Sequence, residues 1–404
     1  MSKINKNQVG IWLATMVITW GCMTFRYVGN GFSIALICFI LFSGVCLFRG
    51  YRIPRIHLDI DLCRALCIFY GTLLIVGGLQ CNTIMNTVGS SYSSVTLLMI
   101  TLPLWMILFT GWQYDIRKPV WIMIYINMYA FAIYGIWRYF YMNEDRLSSF
   151  YGSPPEVGML LDLLLPITVC LAIYYWKYTW NRILAVFLIM IEVVALCLTE
   201  TRGSYLAFSV AGVSTLLVWM WKYREKISNI QKIVISLIMI FILSTFLIYI
   251  IDTGSESEKR MYGGERLLMW ESSYQMWEDN KILGIGLSEW RTQYNDPNSP
   301  YHPLKAEETT NVMPHNIYLY FLSTGGFVSF VAFLVYIFFM IRYLLKNIWR
   351  YSSNPFTWGM LFIFIAFLAH GIVDGTIISK HIGRIFYLVL GISILYIERW
   401  KTTE

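Results

Sequence analysis

The sequence predicts an all-α, polytopic integral membrane protein of about twelve transmembrane helices, and three observations predict it. Of 404 residues, 57% are hydrophobic and only 14% are charged, where a soluble domain carries about 25% charged residues. The apolar residues gather in runs of about twenty, the length an α-helix needs to cross a hydrocarbon core of about 30 Å. The basic residues gather in alternate connections between those runs. A mean hydropathy of +0.57 and an aromatic content of 17% exclude disorder, collagen, coiled coil and an ordinary soluble enzyme.

The runs fall at about 9–25, 30–48, 64–80, 93–112, 119–140, 157–176, 183–199, 204–221, 233–251, 316–341, 356–374 and 385–397. The first and the last are the shortest. The first lacks an Ala-x-Ala-like site and is followed at once by another span, so no cleaved leader is expected. Together they describe a single transmembrane domain over 1–404. One larger hydrophilic segment, 252–315, lies within it between the ninth and tenth spans. Seven of the eight cysteines lie in or at the ends of apolar runs, and Cys81 sits alone near a loop. With no CxxC and no Cys/His cluster, they read as small hydrophobes.

Charge fixes the expected orientation. With the N-terminus inside, the inner connections hold 19 of the 31 basic residues and six of the 24 acidic ones, a net of +13. The remainder carries −6, and the two together give the chain's +7. The basic excess is therefore a topology signal that puts both termini in the cytoplasm. It is no sign of nucleic-acid binding. Every inner connection is short, with no GxxxxGK[ST] or GxGxxG, so no nucleotide partner is expected. The 252–315 segment faces outward, with eleven acids against six bases. Function is to be sought on the outer face.

Four groups there call for an explanation, because ionisable groups at a membrane edge are costly unless paired or placed in a wet cavity. Arg202 lies in Thr199-Glu200-Thr201-Arg202-Gly203-Ser204, a minimal connection between two spans; a tight turn with Glu200 paired to Arg202 is the plainer reading. Arg146 precedes Ser153-Pro154-Pro155-Glu156, a helix start, and an interfacial arginine can simply snorkel. Arg266 opens a stretch in which Leu267, Trp270, Tyr274 and Trp277 recur at helical spacing, an amphipathic helix on the outer leaflet or a cap over the bundle. It ends before Asn280-Lys281-Ile282-Leu283-Gly284-Ile285-Gly286, which reads as a turn. His315, in Pro314-His315-Asn316 where the chain re-enters the membrane, is placed as a general base or is satisfied by local backbone. His370, Asp374, His381 and Arg384 surround the last outer turn. Asp162 and Glu192 fall inside apolar spans, as a polar pathway or as buried pairs. No HExxH, outer DxD or His pair at i, i+4 supports a metal.

The motifs Thr199–Ser204, Gly-Glu-Arg266-xxx-Trp270, Asn280–Leu287 and Pro314–Asn316, in that order on a twelve-span frame, resemble the O-antigen ligase/polymerase superfamily of bacterial inner-membrane proteins. Arg146 to Pro155 looks like its arginine-to-Asn-Pro segment, with Ser153-Pro154-Pro155 where Asn-Pro-Asn is common. The resemblance covers residues 140–330 closely and the rest by topology. It implies a GT-C-like fold with a periplasmic 252–315 loop, and transfer of a glycan from undecaprenyl diphosphate to an acceptor hydroxyl on the periplasmic face, without nucleotide, metal or other cofactor. Arg202 and Arg266, with Arg146, would meet the diphosphate as it leaves, and His315 would take the acceptor's proton. Glu200, Trp270 and Asn316, in the same motifs, are expected to line the diphosphate and glycan. A single displacement predicts inversion. The compact outer loop, the span count and the Thr-Arg-Gly pattern favour a ligase delivering to lipid A core. A polymerase joining lipid-linked repeat units is the alternative, and a lipid-linked glycan flippase the reading from another class.

Overall fold

The computed structural model describes residues 6–23, 31–48, 58–83, 88–150, 152–237, 239–240, 256–303 and 313–401. Among these the chain is helical throughout apart from turns and one isolated two-residue bridge between Ser149 and Gly152. Eight helices are long and apolar enough to cross a membrane, and three shorter apolar helices (Val9–Met23, Gly31–Cys46, Pro355–His370) accompany them. Eleven of the twelve expected runs are thereby helices. Most of the twelfth, 233–251, lies outside the described residues.

In chain order the helices are α1 (Lys6–Met23), α2 (Gly31–Phe48), α3 (Ile60–Thr83), α4 (Val88–Met99), α5 (Leu102–Gln113), α6 (Arg117–Tyr141), α7 (Pro154–Tyr174), α8 (Thr179–Thr199), α9 (Arg202–Lys222), α10 (Glu256–Asp279), α11 (Trp290–Asn295), α12 (Ile317–Arg350), α13 (Pro355–His370) and α14 (Lys380–Lys401). The run expected as one helix over 93–112 is two, α4 and α5, because Pro103 lacks an N–H and its ring crowds the carbonyl four residues back. The α7 start is as expected: Ser153 donates its backbone N–H to Glu156 Oε2 at 3.0 Å, ahead of Pro154 and Pro155. The run expected to end at 341 continues to Arg350.

Burial separates centre from rim. The most apolar windows of α7 and α14 are both 83% buried, whereas those of α8 and α9 are 33% and 22% buried. The last two turn broad faces outward, with Ile183, Phe187, Met190, Leu217 and Trp221 exposed, as a helix facing lipid should. α14 packs on α5, α12 on α3, and α13 on both α9 and α7.

The polar contacts between helix ends fall into two groups. At one end α3, α9 and α12 meet through Lys346–Asp59 (2.5 Å), Arg342–Asp61 (3.2 Å) and Lys222 donating to the Ile348 carbonyl (2.8 Å). At the opposite end the α6–α7 connection, the α8–α9 turn, the α12 start and the α13–α14 turn converge. All four outer-face groups identified above belong to this second end, called the site end below.

The expected amphipathic helix is α10, but its buried face differs from the one the aromatic spacing indicated. Met269, Ser272, Ser273 and Met276 are buried against Trp290, Tyr294 and Ile285, while Leu267 and Tyr274 are exposed. The small serines let α11 approach closely: the Trp290 indole N–H donates to Ser273 Oγ at 2.8 Å. The Leu267/Tyr274 stripe is left on the outer side.

Candidate active site

The site is built on a broken helix. Gly326 interrupts α12 with φ 65° and ψ −168°, a conformation open in practice only to glycine. A Cβ there would overlap the Ile282 carbonyl oxygen. The freed backbone groups are satisfied by the 280–287 turn: Ile285 and Gly286 N–H donate to the Ser323 and Thr324 carbonyls, and Phe327 N–H donates to the Lys281 carbonyl at 2.8 Å. Gln80 of α3, fully buried, holds both pieces. Its amide nitrogen donates to the carbonyls of Leu283 and Thr324, and its amide oxygen accepts from Leu287 N–H at 3.1 Å. A short half-helix, 317–325, is thereby fixed above the main span.

His315 sits at the head of that half-helix. Asn316 caps it, its side-chain oxygen accepting from the Tyr318 and Leu319 N–H groups, both at 3.0 Å. His315 itself adopts φ 48°, in the left-handed region, a local strain of the sort that concentrates at functional sites. The preceding Pro314 carbonyl accepts from the Trp270 indole N–H at 3.1 Å, so α10 holds the turn from above. Arg266 lies one turn before Trp270 and on the same face of α10.

His315 Nδ1 lies 2.9 Å from Asp374 Oδ1, in the α13–α14 turn. A carboxylate can only accept, so Nδ1 donates the proton of this bond and Nε2 lies outside it. The His315 side chain is 31% exposed and that of Asp374 10%, so solvent reaches the imidazole more than the carboxylate that holds it. Burial opposes the charge on Asp374. The hydrogen bond and charge of His315, the charge of His370 and the Gly375 N–H nevertheless hold its carboxyl down to about 2.

A second pair lies behind the first. His370 Nδ1 is 2.5 Å from Asp162 Oδ2, 208 residues away in α7, and both residues are 1% exposed. The Ser204 hydroxyl donates to the same oxygen at 3.4 Å. The His370 ring lies against Gly203, where a Cβ would come within 2.6 Å of Nε2, which explains the glycine after Arg202. Thr201 Oγ1 donates to the Pro154 carbonyl at 3.0 Å. The start of α9 is thus clamped between α7 and α13, and Arg202, half-buried in its first turn, adds its charge to the positive end of the helix dipole, a combination suited to anions.

Three expected site residues have structural partners. The Arg146 guanidinium donates to the carbonyls of Thr199 (2.9 Å) and Glu200 (3.1 Å), ending α8 as a side-chain cap. Glu200 is exposed in left-handed conformation at the turn, φ 50°. Asn316 spends its oxygen on the α12 cap. The 146–156 segment, the 199–204 turn and the 313–316 re-entry all meet the α7–α13 clamp. Arg384, grouped with these by sequence, points elsewhere, its guanidinium 3.9 Å from the Phe32 ring centroid. Glu192 is a buried pair with Thr168, whose hydroxyl donates at 3.0 Å. Among the described residues no three His, Cys, Asp or Glu side chains gather as a metal site. Sequence reasoning missed Gln80, and it named Asp162, His370 and Asp374 without their partners.

Residues 183–334 match the model of the family described as O-antigen ligase. The match covers a little over a third of the chain. No curated protein matches the chain. The matched segment runs from α8 through the Arg202 turn, α10, the 280–287 turn and His315 into α12. Arg146, Asp162, His370 and Asp374 lie outside it, yet each contacts the Arg202 turn, the first turn of α9 or His315.

Proposed function

We propose that the protein is a periplasm-facing O-antigen ligase of the bacterial inner membrane. It moves a glycan from undecaprenyl diphosphate to a sugar hydroxyl of lipid A core. The observation that carries this reading is His315, strained and partly exposed at a membrane edge, with its Nδ1 engaged by a buried carboxylate. That arrangement is the one by which an imidazole is aimed as a base.

The acceptor O–H gives its proton to His315 Nε2, and its oxygen forms a bond to the anomeric carbon. The bond from that carbon to the diphosphate oxygen breaks on the opposite face, so configuration inverts. Undecaprenyl diphosphate leaves with the electron pair, and its growing charge meets Arg202 at the α9 N-terminus, with Arg266 from α10. The sugar–diphosphate bond supplies the driving force, so no nucleotide is consumed. Trp270 acts here by holding Pro314, and Arg146 by holding the Arg202 turn.

Incubating purified protein with lipid-linked glycan and lipid A core tests this. Product on lipid A core is the expected result. Longer lipid-linked chains instead mean a polymerase, and transbilayer movement of the donor without either product means a flippase.

A further inference from the structure

Asp162 and His370 are closed to substrate by their burial, so any contribution they make passes through other residues. Stability is a weak reason for them: desolvating an ion-pairing couple offsets much of its attraction, and apolar replacements of similar volume are often as stable. What the pair has that an apolar contact lacks is direction. One Asp162 oxygen takes both the His370 Nδ1 bond and the Ser204 hydroxyl. The far edge of the His370 ring lies on Gly203, beside Val373. On α7, Gly158 leaves space for Thr201 and Ser204, which a Cβ would take. The first turn of α9 is therefore registered on both sides of Arg202.

The same turn reaches His315. The Asp374 N–H donates to the His370 carbonyl at 3.0 Å, and the Asp374 carboxylate holds His315. One turn of chain thus carries His370 inward to the arginine's helix and Asp374 outward to the base. We infer that the buried Asp162–His370 pair is a positioning device that sets Arg202, at the head of α9, in register with His315 for the diphosphate-bearing substrate. This rests on the reading of Arg202 as the cation that meets the diphosphate.

The test is the affinity of the purified, detergent-solubilised protein for farnesyl diphosphate, a soluble probe, read without turnover. Arg202→Ala weakens binding about tenfold or more, as loss of a charged hydrogen bond should. In the protein that keeps Arg202, His370→Leu and Asp162→Asn each weaken it about tenfold. His370→Asn, whose amide nitrogen stands near the place of Nδ1, restores most of the loss. In the Arg202→Ala background the same substitutions cost less than about twofold, because residues acting as a unit are not additive. Equal losses in both backgrounds, or no loss in the first, overturn the inference while leaving Arg202's role intact. Unchanged affinity in Arg202→Ala alone overturns the diphosphate reading of that arginine, and the inference with it. If neither His370→Leu nor Asp162→Asn folds, by melting temperature and gel filtration, the pair belongs to stability and the inference fails.

Discussion

At one end of the bundle carboxylates meet lysine and arginine; at the other they meet histidine. Asp59 pairs with Lys346, Asp61 with Arg342 and Arg64, and Asp115 with Arg117. At the site end, among the described residues, Asp374 pairs with His315 and Asp162 with His370, and Arg138 with Glu144 on the loop after α6. A lysine or arginine keeps its proton at any working pH, so such a pair fastens two elements and does nothing else. A histidine that donates one ring nitrogen to a carboxylate keeps its second ring nitrogen outside that pair. The helices are fastened at one end and, on the proposed reading, made reactive at the other. The backbone repeats the contrast: Glu200, His315 and Gly326, all with positive φ, lie towards the site end.

The comparison predicts a graded series of losses. His315→Ala should lower the transfer rate about 10³-fold, measured on purified enzyme with saturating donor, at unchanged membrane abundance. Asp374→Asn should cost about 10²-fold or more, through loss of the imidazole's orientation and tautomer. Its pH–rate profile sharpens the point. The Asp374 carboxyl, held down to about 2, is ionised over the whole range in which the enzyme is assayed. Its stabilising contribution is present above about 4, the usual carboxylate range, and is lost only as pH falls through about 2. Loss of activity above about pH 4 therefore does not come from protonating Asp374.

Next come the variants that disturb the scaffold. Gly326→Ala places a side chain where φ is 65° and the Ile282 carbonyl already lies; a cost of about 3 kcal/mol or more should appear as a lower melting temperature and reduced yield. Gln80→Leu leaves the Leu283 and Thr324 carbonyls and the Leu287 N–H without their partner. At about 1–3 kcal/mol for each buried group left unpaired, its melting temperature should also fall, with activity falling alongside. The smallest effect belongs to the fastened end. Lys346→Ala removes a pair whose side chains are 32% and 22% exposed, so a change of about 1 kcal/mol and wild-type transfer activity are expected. A large activity loss there would break the contrast between the two ends.

Much of this was legible in the sequence because hydropathy and charge are local signals. Eleven of the apolar runs are helical where the sequence puts them, one of them split in two before Pro103. The motif residues Arg202, Arg266 and His315 stand out as charges at membrane edges. What escaped is non-local. Gln80 is a lone amide in an apolar run, and nothing near it in sequence names Leu283, Leu287 or Thr324 as its partners. Asp162 reads as a polar residue inside an apolar span and His370 as one of a group around the last outer turn, and nothing in the sequence joins the two across 208 positions. The break at Gly326 hides in a run apolar enough to pass for one straight span. The α10 aromatics recur at helical spacing, but the buried face went to Met269, Ser273 and Met276, because close approach of α11 rewards small side chains that spacing alone does not weigh. Arg146, Asn316 and Trp270 stand in the expected motifs, yet the structure spends their polar atoms on backbone carbonyls and N–H groups.

The central claim is that His315, aimed by Asp374, takes the acceptor's proton at the site end. Its most direct test is a single-turnover assay with purified wild-type and His315→Ala protein in liposomes holding lipid-linked glycan and lipid A core. The expected result is a transfer rate lower by about 10³-fold, with binding of the lipid-linked donor within about twofold of wild type. Transfer by His315→Ala at the wild-type rate would contradict it.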